Sequence, residues 1–131
     1  MTSSTSTENS RPLKPCIAIF LANLFFFLPF LFGGEAGTIG AGTGDLPIYF
    51  KPMREFAALE LARGNFPFWN PYSSGGHPFL ADPESGLLYP FNYLFVLLSS
   101  HLAFSWSYFI HYLIAGYGMF FLCRRLGVSN S

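Results

Sequence analysis

Two long apolar blocks frame the chain, and a polar segment dense in proline, glycine and aromatic residues separates them. The first block, Cys16–Phe32, is broken only by Asn23 and Pro29. It stands at the short end of the roughly 17–25 residues that a membrane-crossing helix needs, and Gly33 and Gly34 extend it. The second block, Leu102–Cys123, carries no formal charge, and backbone carbonyls or a neighbouring helix can satisfy its Ser105, Ser107 and His111. A third apolar run, Leu87–Leu98, contains Pro90 and Asn92 and is too short to cross. Its Tyr89, Phe91, Tyr93 and Phe95 suit a helix at the headgroup boundary, where one end of each ring is dry and the other wet.

Within the polar segment, Pro52 is well placed as the first residue of a helix reaching about Arg63, with Gly64 as its stop. Met53, Phe56, Ala57 and Leu61 form an apolar stripe at helical spacing, which Glu60 interrupts. Asn65 to Gly86, rich in proline and glycine, predicts an irregular but constrained path. The sequence therefore predicts an all-α integral membrane fold: a polar tail at 1–15 and a transmembrane helix at 16–34, followed by an extracytoplasmic loop at 35–101. That loop carries surface helices near 52–63 and 87–98. A second transmembrane helix at 102–123 and a cytoplasmic end at 124–131 complete it. Residues 1–10 read as a disordered tail with no core-forming side chains. The glycine-rich tract Gly33–Gly44 reads as a flexible exit from the membrane, and it lacks the spacing of a phosphate-binding loop.

Composition agrees with the membrane reading. Only 11% of the 131 residues are charged and 20% are aromatic, whereas a soluble domain carries about 25% charged residues. The formal net charge is zero, which leaves no basic footprint for nucleic acid. Arg11 and Lys14 precede the first block, and Arg124 and Arg125 follow the second. Between them, Lys51, Arg54 and Arg63 are outnumbered by Glu35, Asp45, Glu55, Glu60, Asp82 and Glu84. The positive-inside rule places both termini in the cytoplasm and the loop outside, although loops above roughly 60 residues respond less to it. A cleaved signal peptide is the rival for the first block, since Gly34-Glu35-Ala36 resembles a small-x-small cleavage site. Either way the loop ends outside. Cys16 and Cys123 fall at the cytoplasmic ends of the spans, where free thiols are expected.

The chemistry-bearing residues lie in the loop. A positioned carboxylate takes the proton of an attacking hydroxyl, and Asp45 is one such residue; it is equally a residue that caps the turn starting at Pro47. Asp82 and Glu84 flank Pro83 with no His or Cys at ligand spacing, which favours a solvated turn over a metal site. His77 either contacts a phosphate when protonated or stiffens its loop with one hydrogen bond. Lys51, Arg54 and Arg63 either meet an anionic lipid or snorkel to the headgroups. Trp69 and Tyr72 either stack on a sugar face or anchor the interface. His111, inside the second block, either carries function or bonds a neighbouring helix. No Ser/His/Asp order, zinc spacing or nucleic-acid motif is present.

Gly44-Asp45, Tyr49 and Pro52, the aromatic helix ending at Gly64, Trp69-Asn70, Gly75-Gly76 and Pro90-Phe91-Asn92 together resemble the N-terminal region of YfhO-like bacterial membrane proteins, within the GT-C glycosyltransferases. The resemblance covers roughly residues 16–127. It implies transfer of a sugar from a polyprenyl-phosphate carrier to an acceptor outside the bacterial inner membrane, with Asp45 as general base or, in some relatives, a ligand to a divalent cation. Tyr49, Trp69, Asn70, His77 and Asp82 are the implied substrate contacts, and membrane lipid and the lipid-linked sugar are the implied partners. No ligand motif accompanies the metal option. Family members have many more spans, so this chain is expected to need further transmembrane helices, from another chain or a continuation of its own, and to be inactive alone. The rival from another class is a non-catalytic small membrane protein whose outer loop docks a partner.

Overall fold

The computed structural model describes residues 12–34, 40, 42 and 44–128. The polar tail at 1–10, the Glu35-Ala36 part of the cleavage-like site, much of the glycine tract and the last residues, 129–131, lie outside the described residues. The described chain is mostly helical. It contains two helices long and apolar enough to cross a membrane, α1 at Leu13–Phe32 and, much later, Ser100–Arg125.

Helix α1 is apolar along nearly its whole length, Lys14 and Asn23 apart, so no single apolar stripe distinguishes its faces. Pro29 removes one backbone donor, yet the helix continues through it to Phe32. The chain then enters a π-helical turn, Leu46–Phe50, which runs straight into α2, Lys51–Ala62. Helix α2 starts one residue before the expected Pro52 and ends in a glycine cap. Gly64 adopts φ +81°, its N–H donates to Leu61 O, and the Asn65 N–H donates to Glu60 O. This double bond pattern closes the orphan carbonyls of the last turn. The sequence stripe faces inward: Met53 and Ala57 join Phe79 and Leu87 in a buried cluster, with Phe56 and Leu61 packed against it.

After α2, two short antiparallel strands, β1 at Trp69–Asn70 and β2 at His77–Pro78, pair with Trp69 opposite Pro78 and Asn70 opposite His77. Ser74, Gly75 and Gly76 turn the hairpin with positive φ. A 3-10 turn follows at Pro83–Ser85. The run 87–98 then differs from one surface helix. Tyr89 is extended ahead of Pro90, as proline demands of its predecessor. Only the 3-10 turn Pro90–Tyr93 and one α-helical turn, α3 at Leu94–Leu97, form there.

The last helix, α4, spans Ser100–Arg125 and takes in both terminal arginines. It runs antiparallel to α1: Tyr117 Oη donates to Cys16 O at 3.4 Å, Asn23 Nδ2 to Phe109 O at 3.0 Å, and Ser105 Oγ to Phe30 O at 3.0 Å. The last contact satisfies one of the carbonyls that the end of α1 leaves unpaired. Phe27, fully buried, meets the rings of Phe109 and Tyr112 edge-on. At Gly116 a Cβ would stand 3.0 Å from Ile19 Cγ2, so glycine sets how closely the helices approach.

The connecting segment sits on the first turns of α4. Phe95, Ala103 and Phe104 form a third buried cluster, with Leu46, Phe50 and Ala58 against it. Ser100 Oγ donates to Glu55 Oε1 at 2.6 Å, which brings a carboxylate to the positive end of the helix dipole. The opposite faces of both long helices are open. Phe25 and Phe32 are more than four-fifths exposed, and an open apolar groove of about 570 Å3 runs past Phe26, Leu28 and Pro29.

Candidate functional site

Two hollows share a wall made by Pro83, Gly86 and Tyr89: one lies where the connecting segment meets α4, the other within the segment itself. The larger is an open cleft of about 470 Å3, with Arg54, Asn92, Ser107 and His111 on its other sides. The smaller, about 190 Å3, contains Asp82.

Arg54 projects from α2 and donates through Nη1 to the Ser85 carbonyl. Burial pulls its guanidinium below the usual arginine range, and the negative fields of Asp82 and Tyr49 partly restore it. Two other cations share the helix. Lys51 pairs with Glu55 at 3.9 Å and Arg63 with Glu60 at 3.0 Å, while Arg54 forms no ion pair among the described residues. Next to it, Asn92 Nδ2 donates to Gly86 O at 2.7 Å. Gly86 is left-handed, and a Cβ there would stand 2.6 Å from Asn92 Nδ2 and 3.1 Å from Arg54 Nη2. Glycine is what allows the guanidinium and the amide to close over this turn.

On the α4 side, His111 Nδ1 lies 2.6 Å from the Ser107 carbonyl, and His111 Nε2 is bonded to the Tyr89 hydroxyl. A carbonyl only accepts, so Nδ1 carries a proton and donates to Ser107 O, which leaves Nε2 to pair with the Tyr89 hydroxyl. The sequence left His111 between function and helix bonding. The structure spends both ring nitrogens on hydrogen bonds that fix Tyr89 at the wall of the cleft.

In the smaller hollow, Asp82 caps the 3-10 turn: its Oδ1 accepts from the Glu84 N–H at 2.9 Å. Its Oδ2 stands 3.4 Å from the Tyr49 hydroxyl, a long contact, and 3.5 Å from His77 Nε2. The Glu84 carboxylate, then slight burial, then the Asp82 charge push the Tyr49 phenol up to about 12. His77 makes no hydrogen bond among the described residues through either ring nitrogen, so the Asp82 carboxylate is its polar neighbour.

The structure thus brings Tyr49, His77 and Asp82 together from three separate elements. Trp69 and Asn70 lie on the adjoining hairpin. The Trp69 indole covers Gly76, where a Cβ would come within 2.8 Å of Cζ2. Asn70 is buried, and its Oδ1 accepts from the Tyr72 N–H at 2.9 Å, an Asx turn that holds the hairpin entry. Asp45 stands apart: it is exposed, lies outside both hollows, and makes no side-chain capping bond at the turn that starts beside it. Among the described residues no group of three or more His, Cys, Asp or Glu side chains is placed to hold a metal ion, and Cys16 and Cys123 are free thiols.

Sequence reasoning missed Gly86, Tyr89 and Ser107 as site components and did not separate Arg54 from its two neighbours on α2. The Pro-flanked spacing of Ser85, Gly86 and Asn92 held a signal, but only folding puts Arg54 against it. The fold and these hollows define a class: an antiparallel pair of apolar helices joined by a packed segment that builds a polar cleft against one of them. No known protein family, characterised protein or solved structure matches the chain.

Proposed function

We propose that this chain is the N-terminal portion of a GT-C-like membrane glycosyltransferase. In this reading α1 and α4 cross the bacterial inner membrane with both termini in the cytoplasm, and the connecting segment lies outside. There it helps move a sugar from a polyprenyl-phosphate carrier to an acceptor. The observation that carries the reading is the pair of joined hollows: a guanidinium without an ion pair among the described residues lines one, and a carboxylate capped by a backbone N–H, with a phenol and an imidazole beside it, lines the other. Group transfer from an anionic carrier to a hydroxyl needs both kinds of group within one short span. Asp82 is the carboxylate in the hollow, whereas Asp45, outside both hollows, is the proposed base on the family resemblance. Its exposure and lack of a capping bond leave its carboxylate open to an acceptor hydroxyl. The open apolar faces of α1 and α4 suit further helices that complete the site, so the chain is proposed to be inactive alone.

The test is transfer from a radiolabelled polyprenyl-phosphate sugar in membranes that hold the complete assembly. Asp45→Asn is expected to lower transfer by about 10²- to 10⁴-fold with insertion and abundance unchanged. A near-neutral Asp45→Asn would remove its role as base, and turnover by the purified chain alone would sink the claim of incompleteness. A second reading, a non-catalytic docking protein, is favoured by the exposed Phe68, Trp69 and Tyr72 around the hairpin. It requires that Asp45→Asn leave partner capture intact while Tyr72→Ala abolishes it.

A further inference from the structure

We propose that the larger cleft is a phosphate-binding site, with Arg54 as counter-ion, the Asn92 amide and the Ser107 hydroxyl as its neutral hydrogen-bond donors, and Tyr89 and His111, bonded to each other, as its wall. The inference stands on the cleft itself and holds for a transferase and a docking protein alike.

The argument begins with what Arg54 lacks. A guanidinium has five N–H donors in a planar fork and is costly to bury without an anion. Here burial destabilises the charged form, one donor is spent on the Ser85 carbonyl, and no carboxylate of the described chain closes on the rest. Asp82 contributes field but stays bound to its own turn. The open side of the guanidinium faces a hollow of about 470 Å3, large enough for a tetrahedral anion with part of its ester. The fork matches phosphate oxygens in a bidentate manner, which a lysine would not.

The lining supports the choice of anion. Arg54 is the one formally charged side chain among the described residues that line this hollow; the Asp82 carboxylate, whose field reaches Arg54, lies behind the shared wall in the smaller hollow. The Asn92 amide and the Ser107 hydroxyl are neutral hydrogen-bonding groups on either side of the hollow, and Gly86 keeps the turn beside Arg54 free of any side chain. The His111–Tyr89 bond holds the aromatic wall in place. The position is also informative. Ser107 and His111 belong to the first half of α4, whose outward face is apolar. A phosphate bound here has room for an acyl or prenyl chain along the helix, and a free phosphate ion fits the same polar groups.

Native mass spectrometry of the full chain in detergent, with phosphatidic acid against phosphatidylcholine, tests the lipid source. Calorimetric titration with inorganic phosphate tests the free one. Retention of phosphatidic acid over phosphatidylcholine is expected, and Arg54→Gln, which keeps an amide donor for Ser85, should weaken it by about tenfold or more. Ser107→Leu fills the cleft from α4 without touching Arg54 and should weaken binding as well, which guards against misfolding as the cause. Arg63→Gln, already paired with Glu60 on the same helix, should change nothing. Arg54-dependent binding of phosphatidic acid alone assigns a lipid headgroup, and Arg54-dependent binding of inorganic phosphate assigns the free ion. No Arg54-dependent binding of either probe, or an equal loss in Arg63→Gln, overturns the site.

Discussion

At Gly86 a single hydrogen atom in place of a methyl group decides whether the cleft exists. Its φ of +52° already disfavours a side chain, and the would-be Cβ meets Asn92 Nδ2 at 2.6 Å. Gly86→Ala therefore combines backbone strain with a clash. It is expected to cost roughly 2–3 kcal/mol, read as faster amide exchange through residues 83–95. Unchanged exchange would mean that the turn relaxes freely. Tyr49 offers a second residue-scale check. Its phenol is raised to about 12, chiefly by Glu84. The folded state thus holds the neutral form more tightly than the unfolded chain, whose tyrosines titrate near about 10. The stabilisation is complete below that ordinary value and is lost as pH rises through about 12. Phenolate absorbance should show a late-ionising component that is reduced by one tyrosine in Tyr49→Phe and moves to lower pH in Glu84→Gln. Identical curves for the wild type and Tyr49→Phe would refute it.

Among the elements, α2 is the one whose reasons are most complete. Its stripe buries Met53 and Ala57, its end is closed by the Gly64 and Asn65 N–H groups, and Glu60 accepts from both Arg63 and Asn65 there. Glu60, which interrupts the apolar stripe in sequence, thus works at the cap. No atom stands within 4 Å of a Cβ built on Gly64, so Gly64→Ala isolates the conformational cost. We expect about 1 kcal/mol, seen as fraying of the amides at 60–65 while the cleft is unaffected. Comparison with Gly86→Ala then separates strain from collision, because both glycines have positive φ and only one is crowded. The strand pair is held differently. Two residues on each side cannot stand alone, and the Asx turn at Asn70 and the burial of Phe79 against α2 fix it instead.

For the molecule as a whole, the decisive relation is the antiparallel packing of α1 on α4, with the connecting segment seated over the start of α4. The Gly116 position relative to Ile19 gives a direct test. Cysteines at Ile19 and Gly116, with Cys16 and Cys123 replaced by serine, should cross-link readily, because the Gly116 Cβ would lie 3.0 Å from Ile19 Cγ2 and disulfides form at Cβ separations of roughly 3.5–4.5 Å. Cysteines at Ile19 and Ser105 should not, since Ser105 meets α1 at Phe30. Cross-linking of the second pair in preference to the first would reject the packing. The proposed orientation has its own readout: a cysteine at Tyr72, four-fifths exposed, should react with an impermeant maleimide added outside intact cells.

The sequence by itself determined the two long helices, the start and stop of α2, and the stripe that α2 buries. These depend on local chemistry: runs of apolar side chains, proline's fixed φ, glycine's access to positive φ, and periodicity along one element. It also singled out His77 and Asp82 as residues to watch, and the family resemblance added Tyr49. Only the tertiary structure decided that these three meet, that Asp45 stands apart from them, that Asn70 is a turn-former, and that Arg54 rather than Lys51 or Arg63 is left without an ion pair among the described residues. The reason is distance along the chain. Tyr49 and Asp82, or Arg54 and His111, become neighbours only when Phe79 and Leu87 pack on α2 and Phe95 packs on α4, and no local pattern encodes that meeting.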